Sequence, residues 1–261
     1  MIDYLKESTF VVNDVISDAW DVLKKRYLAI AGICFSLFIV SNISGILAAY
    51  LSSVNIVLSV FMALLFLFLY FSIQLTLFKH IFQVLDKSAD QVKLRKSFPT
   101  LKEIIYFFAC VLTITVGTFL GYLIISVVFF PLIYLVDIEM MVNMVYVITI
   151  ILFSYTFLRI AFFPFFILDK KESPFKSIRL SLAVTRGNFV KIILIIAFFA
   201  LSGSLYLYFS YRGYPFISTI LSLINSFVII PLSSVTFIIA YRKMVHDYKG
   251  DSDPSIMQNI I

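Results

Sequence analysis

Arg159 is the one cation inside the apolar stretch from Val142 to Leu168, which otherwise reads as a membrane-spanning helix. An arginine at mid-bilayer costs at least about 2.5 kcal/mol, so its guanidinium must snorkel, bind backbone or amide oxygens, line water, or meet an anion such as a lipid phosphate. No Asp or Glu lies within a comparable stretch to neutralise it. Pro164 lacks the N–H that the Ile160 carbonyl would accept, so a bare backbone acceptor is expected beside the cation. With about nine residues from Arg159 to Asp169, the guanidinium starts about 13 Å deep and snorkels only part of the way. Two roles fit: a structural cation bound by carbonyls, or the contact for an anionic ligand or lipid.

Three further cations, Lys176, Arg179 and Arg186, sit in the hydrophilic segment between Asp169 and Asn188. Ser173 suits an N-cap, Pro174 suits the first helical position, and Gly187 suits a left-handed terminator, which together predict a helix over Pro174 to Arg186. Phe175, Ile178 and Leu182 form an apolar stripe on it, and the three cations can meet phosphate or the carbonyl end of the helix. A helix of this kind lies along headgroups. Candidate anion or lipid contacts are therefore Arg159, Lys176, Arg179 and Arg186.

Asn42, Gln74 and Asn225 are amides in other apolar stretches and would line a polar cavity if Arg159 faced one. Interhelical hydrogen bonds, at about 0.6 kcal/mol each on average, explain them adequately without a cavity, as they explain Ser154 and Thr156. Gly117 and Gly121 permit close helix approach, with intrachain packing the expected use. Catalytic constellations are missing from the pattern. His80 and His246 are isolated, Cys34 and Cys110 fall in apolar runs without metal-ligand spacing, and neither Gly-x-Ser-x-Gly nor Gly-x-x-x-x-Gly-Lys occurs. The expectation is no catalytic residue, no cofactor and no metal.

The elements that must position these residues follow from composition. The chain is 61% hydrophobic and 14% charged, with mean hydropathy +1.01, far from the balance of a water-soluble domain. Six stretches, about 27–50, 56–78, 104–128, 142–168, 189–211 and 216–241, are long enough to cross about 30 Å of hydrocarbon as helices. A β-barrel would alternate apolar and polar residues, whereas Phe61 to Tyr70 is apolar throughout. The fold class expected is an all-α membrane protein within residues 1–248, followed by a mobile cytoplasmic tail over 249–261.

Of the 21 Lys and Arg residues, 19 precede the first stretch, fill or flank the two long loops, or follow the last stretch. Arg212 and the acids Asp137 and Glu139 mark the opposite side. The basic side is expected to be cytoplasmic, with both termini there. Asp3, Glu7, Asp14, Asp18 and Asp21 ahead of the first apolar run argue against a cleavable signal peptide. A charge of +6 distributed by topology suits anionic headgroups, and nucleic acid is not an expected partner.

Short outer turns, Leu51 to Asn55, Val136 to Met141 and Arg212 to Pro215, pair the spans into three hairpins, each preceded by a cytoplasmic amphipathic helix. In the first of these helices Val12, Ile16, Trp20, Leu23 and Tyr27 recur at helical spacing. Val84-Leu85-Asp86-Lys87 echoes Ile167-Leu168-Asp169-Lys170, with Lys93 at the offset of Lys176, and Pro99 should shorten or bend the second linker.

Three local patterns carry a resemblance: Ala19-Trp20-Asp-Val-Leu-Lys-Lys25, Arg159-Ile-Ala-Phe-Phe-Pro-Phe-Phe-Ile-Leu-Asp169, and Ser173-Pro174 leading to Ser181-Leu-Ala-Val-Thr-Arg-Gly-Asn188. The chain resembles bacterial and archaeal polytopic membrane families of unknown function, which include the membrane domain preceding some glycerophosphodiester phosphodiesterases. The resemblance implies a six-helix inner-membrane protein with amphipathic inner linkers and brings no established chemistry, and the sequence has no phosphodiesterase catalytic domain. Two functional classes are expected: a non-catalytic organiser whose basic linkers bind anionic lipid or a cytoplasmic protein, or a transporter or lipid-handling protein with Arg159 in a polar cavity.

Overall fold

The computed structural model describes residues 10–86, 94–131 and 137–246. These are helical throughout apart from connecting turns, with no strand among them, and six helical stretches are long and apolar enough to cross a membrane. The protein is thus an all-α, multi-pass membrane protein. Lys87, Lys93, Val136 and the tail from 249 to 261 lie outside the described residues, as does the sequence echo that rests on the first two.

Helix α1 (Val12–Ser52) runs for 41 residues and bends at Arg26, whose φ of −133° and ψ of 24° leave the helical region. The bend separates the amphipathic leading segment from the first span, where a change from charged to apolar sequence requires a change of direction. Only part of the apolar stripe packs against the protein. Val15, Ala19 and Leu23 are the buried face, whereas Trp20 is 42% exposed and Tyr27 is also exposed. Trp20 instead stacks under the Lys24 ammonium at 5.4 Å, as an amphipathic ring at headgroup level does.

Asn55 turns the chain and caps α2 (Ile56–Asp86), its Oδ1 accepting from the N–H groups of Val57 and Leu58 at 2.9 and 3.2 Å. At 31 residues α2 is about 46 Å long, so it outreaches about 30 Å of hydrocarbon and its charged end must emerge. A single 3₁₀ turn, Leu94–Ser97, precedes Pro99, in keeping with the shortened second linker. Thr100 then caps α3 (Leu101–Phe129) in a reciprocal capping box with Glu103.

The fourth span is interrupted, as Pro164 predicts. Helix α4 (Ile138–Ile160) stops, Ala161 and Phe162 form a turn, and α5 (Phe163–Asp169) restarts with the proline in its first turn. Helix α6 (Pro174–Val184) folds back upon α5. The connecting loop holds Lys171 at φ +56°, and the Glu172 N–H reaches the Phe166 carbonyl at 3.4 Å. Two details of the expected α6 punctuation differ. Ser173 occupies the N-cap but its hydroxyl makes no capping bond, and Gly187 is not left-handed, because Thr185 and Arg186 close the helix through tight turns to Ser181 and Ala183.

Helix α7 (Phe189–Tyr211) coincides with its expected bounds. It ends where Gly213, at φ +73°, lets the Tyr214 N–H return to the Phe209 carbonyl at 3.0 Å, a closure open to glycine without strain. The last span comprises α8 (Pro215–Ile224), a π-helical turn (Asn225–Ile229) and α9 (Ile230–His246), which packs against α1 and α2.

The core is concentrated at the end of the bundle that carries the basic loops. Buried side chains come from Ile30 to Leu37 of α1, Leu75 to Phe82 of α2, all of α5 through Leu168, and Leu232 to Met244 of α9. Phe82, Phe165, Phe166 and Tyr241 meet edge to face at 5.0–6.1 Å. Toward the other end Leu64, Phe119, Val127, Ile151 and Leu207 are uncovered by protein. Lipid tails solvate leucine as well as a protein core does, so outer segments gain little by mutual burial, while segments reaching headgroups and water must hide their apolar surface.

Candidate functional site

Arg159 stands at the last turn of α4, where the helix breaks and its C-terminal carbonyls would be unpaired. Helix α6 supplies the missing partners. Ser181 Oγ donates to the Arg159 carbonyl at 2.8 Å and accepts from the Phe162 N–H at 3.2 Å, while Thr185 Oγ1 lies 3.1 Å from the same carbonyl and closer, at 2.8 Å, to the Ser181 carbonyl one turn back. In return the Arg159 guanidinium donates to the Leu182 carbonyl near the end of α6 and to the Tyr155 hydroxyl at 3.3 Å, and lies 5.8 Å from the Tyr155 ring centre. The cation thus faces the negative end of the α6 dipole. Its Nε is buried without an acceptor among the described residues.

Serine and threonine dock α6. Ser177, Ser181 and Thr185 are fully buried at four-residue spacing, together with Leu180 and Val184. Their small volume brings α6 close to α4 and α5, as small residues do between membrane helices. The opposite arc carries Phe175, Ile178, Arg179 and Leu182, within about 100° at 100° per residue. Phe175 is 73% exposed and Arg179 and Arg186 are exposed, while Lys176 pairs with Glu172 at 3.0 Å. Two of the four expected cations are therefore exposed, Lys176 is paired with a residue of the loop before α6, and Arg159 is bonded inward.

Ile178 and Leu182 form one wall of a groove of about 670 Å³ whose other walls are α3 and α4. Gly117 lines it, and a Cβ there would meet nothing within 4 Å. One turn farther, a Cβ on Gly121 would come within 3.2 Å of the Phe153 ring, so the glycine pair serves intrachain packing only at its second member.

Two of the three amides have partners away from Arg159. Asn42 Nδ2 donates to the Phe38 carbonyl of its own helix at 2.8 Å, and Asn225 Oδ1 accepts from Ser202 Oγ at 2.6 Å. Gln74 is half-buried on α2. None of the three is a hydrogen-bond partner of Arg159 among the described residues.

The basic end also holds contacts not foreseen from sequence. Lys79 Nζ bonds both oxygens of Glu103 at 3.0 and 2.8 Å and the Phe98 carbonyl at 3.2 Å. His80 Nδ1 and Ser97 Oγ lie 3.1 Å apart, both buried. Arg242 pairs with Asp86 at 2.5 Å, Lys243 with Asp18 at 2.7 Å, and Tyr241 donates to Asp169 at 3.1 Å. The spacing Thr100-x-x-Glu103 before an apolar run is a capping-box signature and would have located Glu103. Ser177, Ser181 and Thr185 likewise recur every four residues opposite the apolar stripe. No group of three His, Cys, Asp or Glu able to hold a metal occurs among the described residues.

Comparison of the chain with protein-family models, with curated proteins and with solved structures found no significant match in any of the three. The family resemblance therefore rests on the three local patterns around Trp20, Arg159 and Ser181 alone.

Proposed function

We propose that this protein is a non-catalytic organiser of the bacterial cytoplasmic membrane that holds anionic lipid against its basic face, with both termini cytoplasmic. The observation that carries the reading is the two-sidedness of α6, whose buried serine and threonine face packs it on α4 while Phe175 and Arg179 lie on its exposed side. An apolar ring inserted beside a guanidinium is the arrangement that binds an anionic interface, each cation adding about 1 kcal/mol near such a surface. The alternative, an anion-transport cavity around Arg159, has less support because that guanidinium is bonded to Leu182 and Tyr155, and Asn42 and Asn225 are bonded elsewhere.

Native mass spectrometry of the purified full chain, titrated with dioleoyl phosphatidylglycerol and with dioleoyl phosphatidylcholine, tests the reading. Replacing Lys176, Arg179 and Arg186 together by glutamine should weaken phosphatidylglycerol binding by up to about 100-fold and leave phosphatidylcholine unchanged. Equal phosphatidylglycerol affinity in the triple variant would overturn it.

A further inference from the structure

We propose that the leading segment of α1, Val12 to Lys25, is a strap that pivots at Arg26 between two resting places, the basic end of α9 and the surface of the bilayer. The device is independent of lipid binding by α6.

The hinge is at Arg26. No Pro or Gly occurs from Val12 to Ala31 and arginine is a good helix former, yet Arg26 stands at φ −133° and ψ 24°. Sequence therefore supplies neither of the common causes of a kink, and the direction of the bend is set by what the strap rests on. One or a few residues at the end of an element suffice to absorb a change of that direction. In the docked position Val15, Ala19 and Leu23 pack against the bundle, each at 1% exposure or less. The apolar arc of the strap is wider than the bundle covers. At 100° per residue, Ile16 and Trp20 carry it about 60° beyond Leu23, and Trp20 is exposed.

The latch is a charge pair open to water. Lys243 Nζ lies 2.7 Å from Asp18 Oδ2, with the two side chains 33% and 54% exposed. Beside the pair, a cleft of about 420 Å³ separates Asp21 and Val22 of the strap from Leu85 of α2 and from Ile239 and Arg242 of α9. Along this edge the strap is pinned by charge and not by close packing. At its start, the Lys191 ammonium of α7 donates to the Phe10 carbonyl and lies 5.3 Å from the Phe10 ring centre. A partly exposed ion pair shifts an equilibrium by no more than about fivefold, and salt screens it. Moving Val15, Ala19 and Leu23 into water would outweigh such a latch. A strap at headgroup level hands them to lipid instead, which solvates aliphatic side chains about as well as the bundle does. The two resting places are then close in free energy, and a weak latch can decide between them.

Double electron–electron resonance on the full chain in phosphatidylcholine nanodiscs tests the strap. Spin labels go on Ser17→Cys and Lys170→Cys, both exposed, while Cys34 and Cys110 are buried. The expected result is a main distance for the docked strap and a second distance whose share rises about fivefold in Asp18→Asn, in Lys243→Gln, and in protein with the native pair taken from about 0.05 to about 1 M KCl. The exchanged pair, Asp18→Lys with Lys243→Asp, should restore the native share at low salt. A distribution that stays the same across the salt range and in both single variants overturns the strap, and the salt series decides the matter if a variant does not fold. A second distance that the exchanged pair fails to suppress overturns the latch. Trp20 is the one tryptophan of the chain, so its emission reports where the released strap goes. Lipid brominated near the headgroup should quench it more strongly in Lys243→Gln than in the native chain. Quenching that is equal or weaker would overturn the bilayer as the second resting place.

Discussion

Replacing Arg159 by leucine sets two effects of similar size against each other. It relieves the cost of a cation at membrane depth, at least about 2.5 kcal/mol, and it removes hydrogen bonds from a charged donor, about 1.5–3 kcal/mol. Ser181→Ala has no such offset, because it removes the shorter of two hydroxyl contacts to the Arg159 carbonyl and the acceptor of the Phe162 N–H. We therefore expect Arg159→Leu to shift unfolding in detergent by less than about 1 kcal/mol and Ser181→Ala to lower stability by about 1–3 kcal/mol. Melting both variants in one detergent checks this, and a larger loss in the arginine variant would make the guanidinium, not the hydroxyl, the main fastener of α6. Arg159 drew attention in the sequence because a lone cation in an apolar run demands a partner. The partner itself was hidden, since Leu182 contributes only a carbonyl and every residue has one.

At the scale of elements, proline placement explains the two irregular spans. Pro164 coincides with the break between α4 and α5, and Pro231 follows the π turn of the last span. Pro231 cannot donate to the carbonyl four residues earlier, that of Phe227, and the Tyr27 hydroxyl donates to it instead at 3.0 Å. Tyr27→Phe should cost about 0.6 kcal/mol, the average for interhelical bonds in membranes, and no more than about 1.7 kcal/mol. In a Pro231→Ala background, where residue 231 regains an N–H, the same change should cost clearly less. A double-mutant cycle by thermal melts measures the difference, and equal costs in both backgrounds would show that Tyr27 does not serve the proline-freed carbonyl. Proline positions were legible, yet Tyr27 and Phe227 are two hundred residues apart and only the packing of α1 on the last span pairs them.

For the whole molecule, the consequence of charge distribution is orientation. The ion pairs Lys243–Asp18, Arg242–Asp86 and Lys79–Glu103 gather at one end, along with the termini of the described chain. Cys34 and Cys110 are buried, so introduced cysteines can report sidedness over a low background. A membrane-impermeant maleimide on intact cells should label Glu139→Cys and Arg212→Cys, and should label Lys25→Cys and Ser173→Cys only after permeabilisation. The reverse pattern would invert the proposed topology.

The amino-acid sequence by itself determined the class, the six apolar stretches and the breaks within them. These depend on local quantities: α7 ends at Tyr211 because apolar residues end there and Gly213 permits the closing turn, and α5 begins where Pro164 must sit near a helix start. Tertiary structure decided which faces are buried. Hydrophobicity is a poor guide to that in lipid, where leucine gains nothing by leaving its solvent, so α6 buries Ser177, Ser181 and Thr185 and leaves Phe175 outside. It also decided that Arg159 turns inward to a backbone carbonyl and that Ile178 and Leu182 wall a groove against α3 and α4, because both depend on α6 folding back against α4.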